Sequence, residues 1–86
     1  MDVKEMNRKV MHMVEQWNPL NLERESYQVE AEQVLTALQQ VDDPSDLGKN
    51  IQEIYQHSFQ QWIPIEKCVE ISYKLLAIKF EMKSIL

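Results

Sequence analysis

The sequence predicts an all-α fold, a small single-domain bundle of about four helices spanning residues 1–86. Three observations carry that prediction. Apolar residues recur at spacings of three and four in four separate stretches. Prolines 19, 44 and 64 fall between those stretches, where a residue with no amide proton ends a helix or opens the next one. Gly48 is the single glycine, so few backbone sites reach the positive φ that tight hairpins demand.

The first helix is predicted from about Asp2 to Gln16. Asp2 caps it, and Glu5 three residues later completes a capping-box pattern. Val3, Met6, Val10, Met13 and Trp17 form its apolar stripe, widened by Met11 and Val14. The motif Trp17-Asn18-Pro19-Leu20 ends it, and a connection runs to about Glu25. Ser26 is the expected N-cap of the second helix, whose stripe is Tyr27, Ala31, Val34, Leu35, Leu38 and Val41. Glu30 lies at the edge of that stripe, and a structural role is predicted for it: a partly buried acid accepting a hydrogen bond from an indole or a phenol.

The third helix has the clearest start. Asp43 is an N-cap, Pro44 suits the first helical position, and Asp46 puts negative charge in the first turn. Leu47, Ile51, Ile54, Tyr55, Phe59 and Trp62 follow at helical spacing. A second corner, Trp62-Ile63-Pro64-Ile65, repeats the pattern of the first. Trp17, Pro19, Trp62 and Pro64 are therefore read as structural: the prolines end helices, and the tryptophans anchor those ends to the core. The fourth helix is predicted from Pro64 to about Ile85. Its apolar band is broader than one stripe, which marks it as the central helix. Its charged residues, Lys79 among them, are expected mostly to reach water.

Charge is unevenly distributed. The net charge is −5, yet from Asn18 to Asp46 seven acids stand against Arg24 alone, a net −6. An acidic chain neutralises few phosphates, which argues against nucleic acid as a partner. No uncharged run approaches the ~20 residues of a membrane span. The charged N-terminus lacks the apolar core of a signal peptide. Cys68 is the single cysteine, so no intrachain disulfide or multi-cysteine zinc site can form. A cytoplasmic protein is the simplest expectation.

Chemistry-bearing patterns are sparse. Neither His12 nor His57 has a second histidine or a cysteine three or four residues away, so no metal site is expected. Cys68 falls on an apolar helical face, where a buried structural thiol is the usual state. One glycine cannot build a phosphate-cradling loop. No catalytic residue and no cofactor is predicted.

The residues do carry a family resemblance. Trp17-Asn18-Pro19-Leu20, Tyr27 with Glu30, Pro44-Ser45-Asp46-Leu47, Ile51-Gln52-Glu53-Ile54-Tyr55 and Ser58-Phe59-Gln60-Gln61-Trp62-Ile63-Pro64 resemble the YugE-like family. These are small bacterial proteins, chiefly of bacilli, classed as a domain of unknown function. Asn18 stands where members often carry Asp. The resemblance implies a compact helical fold and no assigned activity.

The expected function is a non-catalytic cytoplasmic interaction or regulatory domain, not an enzyme. A protein partner, basic in character, would dock on an acidic face made by Glu23, Glu25, Glu32, Asp42, Asp43 and Asp46. Self-association is a further expectation, because the fourth helix has more apolar residues than one stripe needs. The alternative is an immunity- or antitoxin-like inhibitor of a basic protein. A further alternative is an enzyme with an unrecognised site around Tyr27, Glu30 or Cys68.

Overall fold

The computed structural model describes residues 3–17 and 28–83, the side chains of 82 and 83 excepted. Four helices follow in order: α1 (Val3–Gln16), α2 (Gln28–Gln40), α3 (Pro44–Phe59) and α4 (Ile65–Lys83). No strand occurs among the described residues. Successive helices pack on one another, and α4 closes the bundle against α1. The α3–α4 interface is the most extensive, and α4 touches all three other helices. The radius of gyration of 12.3 Å equals the ~12 Å expected of one compact domain of this length.

The core is built from the stripes that the sequence lays out. Met6, Val10 and Val14 come from α1; Ala31, Val34 and Leu38 from α2; Leu47, Ile51 and Tyr55 from α3. From α4 come Cys68, Ile71, Leu75, Leu76 and Ile78. Val3, the first residue of the predicted α1 stripe, is exposed instead, one turn beyond the packed part of the helix.

Gly48 has a role that its sequence context does not signal. It is buried in α3, and a Cβ added there would stand 2.9 Å from Val69 Cγ2 and 3.2 Å from the Val69 backbone nitrogen. The missing side chain is what lets the α3 backbone approach α4 so closely.

The start of α3 matches its prediction. Asp43 is the N-cap, and its carboxylate accepts from the Asp46 backbone N–H at 3.1 Å. The end does not. The helix stops at Phe59, and Gln60 takes the left-handed conformation at φ 57°, donating its N–H to the Gln56 carbonyl. That turn resets the facing of the next residues. Ile63 enters the core, held by Gln52 Nε2 donating to its carbonyl at 2.8 Å. Trp62 is turned out, 62% exposed, so the expectation that it anchors the helix end is corrected. Pro64 also shifts by one position: α4 begins at Ile65, and the Pro64 carbonyl accepts from Lys67 and Cys68 as the residue before the helix.

Lys79 is the second correction. It is 8% exposed, not solvated. Its Nζ donates to the carbonyls of Leu38 at 2.6 Å and Val41 at 3.0 Å, and lies 2.8 Å from Asp42 Oδ1. The last carbonyls of a helix lack intrahelical donors, and α2 carries no basic residue in its last turn. Lys79 supplies from α4 the positive charge that the end of α2 lacks.

Candidate functional site

The six acids singled out as a docking face have different surroundings. Glu23 and Glu25 lie outside the described residues. Asp42 is matched by Lys79, and the Asp43 carboxylate caps α3. Asp46 is exposed on the first turn of α3. Glu32 is exposed on α2, where it accepts from Gln28 Nε2 at 3.4 Å. Two of the six therefore serve the fold's own joints.

Of the predicted structural residues, Pro19 and Tyr27 lie outside the described residues. Trp17 is partly buried against the core, its ring edge-on to Tyr55 at 5.3 Å and 75°. Tyr55 in turn sits 5.6 Å from Phe59. This edge-on geometry suits the opposed charge of aromatic edges and faces. Glu30 is buried, 4% exposed.

The reactive groups are dispersed. Cys68 is fully buried, and burial pushes its thiol up to about 11. Little thiolate exists at neutral pH, so the group is a poor nucleophile in the folded chain. His12 and His57 are both exposed, on α1 and α3. Among the described residues no three His, Cys, Asp or Glu side chains come together as a metal site. A shallow groove of about 580 Å³ runs between α2 and α3, lined by Gln33, Thr36, Gln40, Asn50, Glu53 and His57 over Ala37 and Ile54. Three of its lining residues are neutral amides, and its Glu53 and His57 are exposed, so no buried charge is aimed into it.

The outer face of α4 is different in kind. Tyr73 is 63% exposed, and Ala77 and Phe80, one and two turns on, are also exposed. Toward the N-terminus, Ile65, Val69 and Tyr73 line a shallow apolar depression flanked by Glu66 and Glu70. Trp62 stands three residues before the helix start. Single exposed apolar residues are ordinary. Several large ones along one helix face, rimmed by charges, are the pattern of an interface. The sequence signals this face only as an excess of apolar residues on α4. Which of them point outward depends on the α3–α4 packing.

Comparison with known proteins finds relatives in both sequence and fold. Residues 9–85 match the model of a family described as a domain of unknown function, DUF1871. The uncharacterized protein YugE of Bacillus subtilis is 38% identical over 72 residues, which are 84% of this chain and 84% of that protein. A crystal structure of a protein from Bacillus stearothermophilus is similar with a TM-score of 0.87 at 32% identity, covering 92% of this chain and 98% of that one. No helix among the described residues is long and apolar enough to cross a membrane. By the match of residues 9–85 and the 38% identity to YugE, the chain belongs to the DUF1871 family, the YugE-like domain of unknown function.

Proposed function

We propose that this chain is a non-catalytic protein-interaction domain that works in the cytoplasm and docks through the outer face of α4. The observation that carries this reading is the exposure of Tyr73 at 63% on a helix whose opposite face is fully packed. Exposed tyrosine is costly to solubility but effective at interfaces, where it buries a large ring and keeps a polar tip. A partner for this face is a protein surface that is itself apolar. The acidic segment has less support as the docking face, because Asp42 and Asp43 are engaged by Lys79 and by the start of α3. The same engagement weakens the reading as an inhibitor of a basic protein. The buried, poorly ionised thiol of Cys68 and the dispersed histidines support the non-catalytic half of the proposal.

The test is site-specific photo-crosslinking in cells, with benzoylphenylalanine at position 73 and, separately, at position 36 in the α2–α3 groove. A discrete protein adduct from position 73 and none from position 36 is the expected result. An adduct from position 36 alone would move the interface to the groove and overturn the proposal.

A further inference from the structure

We propose that the partner of the α4 face is a second copy of the same chain, with the two α4 helices packed antiparallel about an axis near Tyr73. This rests on the reading of that face as a docking surface. What selects a second copy is the order of charges along the face. Lys67, Glu70, Lys74 and Glu81 are all exposed, and none makes an ion pair among the described residues. Reversing the helix about Tyr73 inverts their signs: Lys67 comes opposite Glu81 of the other copy, and Glu70 opposite its Lys74. The offsets from perfect opposition are about two residues, or ~3 Å at 1.5 Å per residue, within reach of a lysine side chain. A pattern complementary to its own reverse is what a two-fold interface requires, because each patch must fit itself.

The sizes agree with the charges. In the same arrangement Tyr73 meets Tyr73 of the other copy, and Val69 comes opposite the small, exposed Ala77. Large against small across facing positions lets helices approach. Glu66, which lines the same depression as Val69 and Tyr73, gains no opposite partner and comes within one residue of Glu81 of the other copy, a like charge that offsets part of the gain. A specific interface needs roughly 1,000 Å² or more in total. One face of a 19-residue helix reaches that only at the low end, so the dimer is weak and concentration-dependent.

The experiment is sedimentation equilibrium of the purified chain from about 1 μM to about 1 mM, a range that spans weak association. A monomer–dimer equilibrium is expected. Tyr73→Asp should leave the circular dichroism and melting of the dilute protein unchanged and abolish dimer. Glu70→Lys and Lys74→Glu each place like charges opposite one another twice per dimer, and each should weaken self-association by about tenfold or more. Mixing those two single variants should restore association as a heterodimer, and the double variant should recover the homodimer. A strict monomer at the highest concentration overturns the proposal. So does a dimer that Tyr73→Asp and the charge reversals leave intact. If the chain is monomeric while position 73 cross-links to a different protein in cells, the docking face stands and the second copy does not.

Discussion

Lys79 Nζ lies 2.6 Å from the carbonyl oxygen of Leu38, 41 residues earlier in the chain. An ammonium from α4 thus caps the C-terminal end of α2, and the Val41 carbonyl and the Asp42 carboxylate complete its surroundings. Burying a lysine costs desolvation, and replacing a whole buried ion pair by apolar groups is often neutral. Replacing Lys79 alone is not expected to be neutral, because two carbonyls would lose their donor.

Lys79→Met, which keeps the aliphatic stem, is therefore expected to destabilise the fold by about 2–3 kcal/mol, the range for losing hydrogen bonds from a charged donor. For a domain of this size that lowers Tm by roughly 10–20 °C. Asp42→Asn should cost under about 1 kcal/mol, since the carboxylate is largely exposed and its attraction is screened. Thermal melts of the two single variants and the double variant measure both effects. A Lys79→Met protein as stable as the parent would show that the cap contributes nothing.

Gly48→Ala opposes two effects of similar size. Alanine favours a helix interior by about 1 kcal/mol over glycine. The new Cβ, however, meets Val69 at 2.9 Å and its backbone nitrogen at 3.2 Å, and overpacking of this kind costs about 1–3 kcal/mol. Overlap is expected to win, for a net loss of about 1 kcal/mol. Combining Gly48→Ala with Val69→Ala removes the closest contact but leaves the backbone one, so part of the overlap cost should persist beyond that of Val69→Ala alone. Denaturant melts of the four proteins give the sign directly. A stabilised Gly48→Ala would mean that the α3–α4 spacing is slack.

Cys68 predicts a pH dependence. Its thiol is raised from 9.0 to about 11 by burial, so the folded chain holds this proton more tightly than the unfolded one. The contribution is fully present below about pH 9 and is lost as pH rises through about 11. Cys68→Ala should be less stable at neutral pH, from the cavity, yet its stability should fall less between those two values than the parent's. In the native chain at pH 8 the thiol should react with an aromatic disulfide reagent only as fast as the fold opens. Rapid stoichiometric labelling would contradict its burial.

The two tryptophans should report different environments. Trp17 is partly buried beside Tyr55, whereas Trp62 is largely in water. Trp62→Phe should leave a blue-shifted emission that acrylamide quenches poorly, and Trp17→Phe a red-shifted one that it quenches readily. At concentrations that favour monomer, Trp62→Ala should cost under about 1 kcal/mol, as surface substitutions do. Trp17→Ala should cost about 2 kcal/mol or more, as truncation of a partly buried aromatic does. Equal quenching of the two would show that the second corner is packed differently.

Local sequence determined the elements of this protein. The spacings in Met6–Val10–Val14, Ala31–Val34–Leu38 and Leu47–Ile51–Tyr55 specify amphipathic helices, and Asp43-Pro44 specifies where α3 starts, because these effects act within a turn or two of chain. The corner at Trp62 was legible as a corner but not in its facing. A single left-handed residue, Gln60, decides that Ile63 goes inward and Trp62 outward, and glutamine carries no strong signal for that conformation. The burial of Lys79, the need for glycine at position 48 and the outward turn of Tyr73 were not legible at all. Each depends on which helix lies opposite, across 41 residues for Lys79 and Leu38 and 21 for Gly48 and Val69. A lysine in a helix reads as solvated until another helix end is brought beside it, and an excess of apolar residues says that some will be left over, while only packing decides which of them stand outside.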